Sequence, residues 1–103
     1  MKLEGITELP RSVYFTYPDK KKHEVGRVVK EVGEIYKTSH HGIYYFVIQL
    51  IEYDDEDDKY IRFGYYRKKP KGKKFVWGSQ TTFHVDKDFT NKLIKKAQNE
   101  GIL

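Results

Sequence analysis

Cysteine is absent from this chain of 103 residues, which removes disulfide frameworks, thiolate zinc sites and cysteine nucleophiles together. Long apolar runs are absent too. No window approaches the roughly 18 consecutive apolar residues of a membrane helix, and the opening MKLEGITELPRSVYF has no leader-like apolar stretch. A soluble protein that does not enter membranes, with a cytoplasmic location, is the expectation. There is no internal repeat and no low-complexity linker, and Pro10, Pro18 and Pro70 fall where turns are wanted. The length supports one hydrophobic core, so residues 1–103 are read as a single domain.

Catalytic and metal-binding patterns are missing as well. His40 and His41 are adjacent and would point to opposite sides of a strand, while His23 and His84 lie elsewhere, so no zinc site is expected. Ser39 beside His40 and Ser79 near His84 lack a strand-to-helix elbow and an orienting carboxylate. The acidic run DDEDD, residues 54–58, lacks the alternating ligands, glycine and closing glutamate of a calcium loop and reads as a solvated turn. No catalysis, metal or cofactor is expected.

What the chain does have is aromatic side chains, at 16%, and asymmetrically placed charge. Residues 59–103 hold twelve Lys or Arg against three Asp or Glu, whereas residues 1–53 are close to neutral. Cationic charge concentrated in this way raises the local concentration of a polyanion.

RSVYFTY, residues 11–17, alternates Val13, Phe15 and Tyr17 with Ser12, Tyr14 and Thr16, the pattern of a half-buried strand. Val25, Val28, Val29 and Val32 sit at helical spacing, yet all are β-branched and two glycines interrupt the run. The segment from about 25 to 38 is therefore read as a bent strand, with a helix as the alternative. IYYFVIQLIEY, KYIRFGYYR and KFVWGSQTTF follow as three strand-forming runs joined by DDEDD and by the lysine turn KKPKGK. In HVDKDFTNKLIKKAQNEGIL, Phe89, Leu93, Ile94 and Ala97 form one stripe. Asp86 or Asp88 is placed to cap this helix and Gly101 to stop it. The fold class is α+β: a twisted antiparallel meander of four to five strands with one carboxy-terminal helix on one face.

Side-chain parity then sorts the faces. Turns at 54–59 and around Lys71 oppose Leu50 to Phe63, Ile48 to Tyr65 and Tyr65 to Trp77. Phe46, Ile48, Leu50, Phe63, Tyr65, Phe75 and Trp77 thus form a core face. The other face carries Tyr45, Gln49, Tyr60, Arg62, Tyr66, Gln80 and Thr82, with Gly64 opposite Gly78 as a shallow trough. Aromatic faces beside mobile cations suit single-stranded nucleic acid. Tyr45, Tyr60 and Tyr66 are expected to stack on bases. Arg62, Arg67, Lys68, Lys69, Lys71, Lys73 and Lys74 would contact phosphates, and Gln80 and Thr82 sugars or base edges. The competing reading is a protein-interaction or regulatory module whose Tyr-rich face mediates dimerisation or partner binding.

RFGYYRK looks like part of the aromatic octamer of RNA recognition motifs, but Phe63 stands at the first glycine and crossover helices are lacking, which excludes that family. Across Tyr60–Ala97, YIRFGYYRK, the glycine turn KPKGKK and the helix DFTNKLIKKA resemble in layout the transcriptional positive coactivator family, related in form to the whirly proteins. That resemblance implies single-stranded DNA binding as a homodimer.

Overall fold

The computed structural model describes residues 3–16, 22–78 and 85–103. Five strands run β1 (Arg11–Thr16), β2 (Lys22–Lys37), β3 (Ile43–Tyr53), β4 (Lys59–Lys68) and β5 (Val76–Trp77), followed by the helix α1 (Lys87–Asn99). They form one antiparallel sheet in sequential order, the expected meander with its terminal helix.

The valine-rich segment is strand throughout, and a bulge explains its helical spacing. Val28 pairs with Ile51 and Lys30 with Leu50, so Val29 is the extra residue and the face assignment switches across it. Val28 accordingly packs with Val13, Val25 and Ile51 on one side of the sheet. Val32, beyond the bulge, pairs with Ile48 and joins the other side.

That other side is the helix face. Leu93 and Ala97 are buried against Phe46, Ile48 and Tyr65, with Tyr36, Tyr44 and Phe89 around them. Phe89 meets Tyr36 and Phe46 edge-on, at 5.3 and 5.7 Å between ring centroids. Burying one side chain of leucine size contributes about 1.5–3 kcal/mol. Asp86 caps the helix by accepting from the Phe89 N–H at 2.8 Å. Gly101, at φ 74°, ends it, with the Ile102 N–H donating to the Ala97 carbonyl at 2.9 Å and burying Ile102 in the helix core.

Two registers differ from expectation. In the β3–β4 hairpin Ile48 pairs with Phe63 and Phe46 with Tyr65, because Glu52 pairs with Lys59 and the turn spans residues 53–58, starting one residue earlier than expected. This shift of two residues preserves parity. Phe63 keeps its face but is 44% exposed rather than core. In the β4–β5 hairpin Tyr66 pairs with Trp77 and Arg67 with Val76, a shift of one residue that moves Phe75 and Trp77 to the far face. The cause is burial: Phe75 packs with Val47 and Tyr66 under Leu3 and Ile6, and its N–H donates to the Glu4 carbonyl at 2.8 Å. The amino-terminal segment thus covers one end of the far face, as the helix covers the near one.

Candidate nucleic-acid interface

The residues expected to share one binding face separate onto two. Gly64 does not open a trough, because the Trp77 indole fills the space where its Cβ would stand; Gly78 lies against the Tyr65 ring in the same way. Gly78 sits next to Tyr65, donating its N–H to the Tyr65 carbonyl at 2.9 Å, and not across from Gly64.

On the far face Tyr66 is only 7% exposed and lies edge-on to Trp77, 5.1 Å between centroids. Tyr45 is half-buried behind Ile35 and Val47. Neither ring is presented for stacking on a base. Burial raises the pKa of both phenols, reinforced by the charge of Glu31. Arg62 is half-buried too. Its Nε donates to Gln49 Oε1 at 2.8 Å, and its guanidinium lies 4.5 Å over the Trp77 ring. Gln49, fully buried, donates from Nε2 to Glu31 Oε2 at 2.7 Å. Glu31 is forked by Arg11 at 2.8 and 3.0 Å, and Arg11 also donates to the Tyr66 hydroxyl. Burial opposes the Arg11 charge, but hydrogen bonding and attraction to Glu31 outweigh it and hold that pKa above the usual value. The result is a chain of polar groups inside the sheet, each satisfied by the next.

Tyr60 is exposed but stands at the far end of β4 from the lysine turn, roughly 23 Å away at the rise of a strand. It donates to Glu56 of the acidic turn, a bond that raises its pKa. A nucleic-acid contact there would face five acidic residues. Gln80 and Thr82 lie outside the described residues.

The cations fare differently. Parity puts Arg67 on the helix face opposite Tyr44, with its guanidinium 5.9 Å over the Tyr44 ring and its Nε donating to the His41 carbonyl at 2.9 Å. Lys69 and Lys74 flank the same spot. Gly72 donates its N–H to the Lys69 carbonyl at 2.9 Å, closing the turn that holds them. Tyr44, Tyr65, Arg67, Lys69 and Lys74, with the narrow Gly72 and Gly78, surround a cleft of about 540 Å³. Tyr65 forms its floor, and burial beside Tyr44 raises the phenol pKa. Lys71 and Lys73 are exposed at the turn, and Lys68 is half-buried at its start.

The structure therefore joins Arg67, Lys69 and Lys74 of the expected set to one cleft and adds Tyr44 and Tyr65. The sequence analysis assigned Tyr44 no role, because the expected register did not set it opposite Arg67; the position of the turn brings the two together. Among the described residues no cluster of three His, Asp or Glu is arranged to hold a metal, and no helix is long and apolar enough to cross a membrane. No protein-family model matches the sequence, and no curated protein or solved structure gives a significant match.

Proposed function

We propose that the protein binds single-stranded DNA or RNA with little sequence preference, through the cleft between Tyr44 and the lysine turn. The observation that carries this reading is the guanidinium of Arg67 lying over Tyr44 beside Lys69 and Lys74, in a cleft of about 540 Å³. The planar guanidinium of Arg67, backed by the Tyr44 ring, offers a base a stacking partner, and the adjacent ammonium groups follow the phosphates. The resemblance in layout to the transcriptional positive coactivator family implies a homodimer, and a cytoplasmic location without a cofactor belongs to the same proposal.

A second reading is favoured by Ile61, Phe63 and Val76, which are 38%, 44% and 67% exposed on the same face beside the cleft. Such a patch suits a second copy or another protein.

Fluorescence anisotropy of a labelled mixed-sequence single strand of about 20 nucleotides, with the matching duplex alongside, separates the two. Nucleic-acid binding predicts saturable, salt-dependent affinity, tighter for the single strand. Changing Lys69, Lys71 and Lys74 together to Glu should weaken it by on the order of 100-fold at about 0.1 M salt, with the melting temperature nearly unchanged because all three are exposed. Undiminished binding by that variant sinks the cleft. A flat titration at low salt, together with a dimeric mass in sedimentation, supports the interaction reading instead.

A further inference from the structure

On the far face the guanidinium groups of Arg11 and Arg62 lie near the Glu31 carboxylate. Glu31 is committed to Arg11 by a two-bond fork, and Arg11 is further engaged by the Thr7 carbonyl at 2.9 Å and by Tyr66. Arg62 receives only the neutral oxygen of Gln49, at Nε, and among the described residues no carboxylate forms an ion pair with it. Its position is nevertheless fixed, by that bond on one edge and by the Trp77 indole 4.5 Å beneath its plane. Burial lowers its pKa, and the nearby Tyr53, Tyr66 and Glu31 offset that only in part.

A partly desolvated cation with no carboxylate of its own is costly, and a planar guanidinium whose terminal nitrogens bond no acceptor among the described residues matches the two oxygens of a carboxylate or phosphate. Beside Arg62 lies a cleft of about 450 Å³ whose walls include Val13, Val28, Tyr66, Trp77 and Arg11. Its size falls in the range of small-molecule sites, and its walls combine apolar and cationic groups. Val13 and Val28 are nearly fully buried, so the apolar surface open to a ligand comes from Tyr14, 52% exposed, and Trp77.

We propose that this cleft binds a small organic oxyanion, whose carboxylate or phosphate is forked by Arg62 and whose apolar body lies against Tyr14 and Trp77. The site is on the opposite side of the sheet from Tyr44 and Arg67 and shares no cation with the nucleic-acid cleft. It stands whether or not the protein binds nucleic acid.

Trp77 is the single tryptophan of the chain and stacks with Arg62, so its emission reports on this site; it also borders the Tyr44 cleft, from which the lysine variant separates the signal. Benzoate and phenyl phosphate serve as probes with the two possible head groups, and acetate and inorganic phosphate as the same heads without a body. The expected result is a saturable change in Trp77 emission with at least one of the aromatic probes, at concentrations where its bodiless counterpart gives none. The tighter of the two aromatic probes identifies the head group. Arg62→Gln should weaken that binding by about tenfold or more, since it removes a charge-assisted fork. The Lys69, Lys71 and Lys74 triple variant should retain it in full. Should Arg62→Gln fail to fold, the Arg62 Nε–H and Trp77 indole N–H resonances of the unaltered protein must shift together on titration. The proposal is overturned by the absence of saturable binding of either aromatic probe up to about 10 mM. Undiminished binding by a folded Arg62→Gln protein, or a titration that leaves those two resonances in place, overturns it equally.

Discussion

Gln49 stands at the junction of two cations and a carboxylate, accepting from Arg62 and donating to Glu31 with no exposure to water. A buried amide in that position cannot be replaced by a side chain of equal volume without stranding its neighbours. Gln49→Leu should therefore cost about 1–3 kcal/mol in urea denaturation, despite the greater hydrophobicity of leucine. It should also redden Trp77 emission, since the arginine resting on the indole loses its tether. Parity alone placed Gln49 and Arg62 on one face, and that much was legible. Glu31 was not, because its arrival depends on the extra residue in β2, and no feature of GRVVKEV announces where a bulge will fall. Tyr66 was misjudged for a related reason: a tyrosine reads as exposed or core only once its cross-strand partner, here Trp77, is known.

At the scale of elements, the helix was the most readable part, from its stripe to both of its ends. Its carboxy-terminal stop rests on a left-handed residue, Gly101 at φ 74°, which also aims Ile102 into the core. Gly101→Ala should lower stability by about 1 kcal/mol, and Gly101→Asn by less, as read from thermal melts. Strand existence was equally legible, including β2, where β-branching decided against the helical spacing. Hairpin register was not, since it depends on how many residues each turn consumes. DDEDD and KKPKGK contain no tight two-residue signal that would fix the count. One misplaced residue in the second turn was enough to put Phe75 and Trp77 on the wrong side.

For the whole molecule, the helix is tied to the sheet by charge as well as by packing. The hydrogen bond from Lys96 holds the Glu34 pKa below its ordinary 4.5; partial burial works the other way, and the charges of Lys96 and Lys92 add to the lowering. A depressed carboxylate contributes stability that is present above its unfolded value and is lost as pH falls through the folded one. Urea midpoints should accordingly drop between about pH 5 and 3, and drop less in Glu34→Gln, which carries no such linkage. The fold class and the segregation of charge were both readable at this scale. The division of cations between two faces follows from alternation along β4, Arg62 to one and Arg67 to the other. The clefts beside them were not readable, because they depend on where Trp77 and the lysine turn fall, and the sequence leaves that register open.

The order of the elements along the chain has a consequence during synthesis. Phe46, Ile48 and Tyr65 leave the ribosome well before Leu93, Ala97 and Ile102, the residues that cover them. For that interval a nascent meander carries an unshielded apolar surface. A transcript broken between the codons for Trp77 and Phe89 would release it in that form, a sticky sheet that chaperones and proteases are suited to intercept.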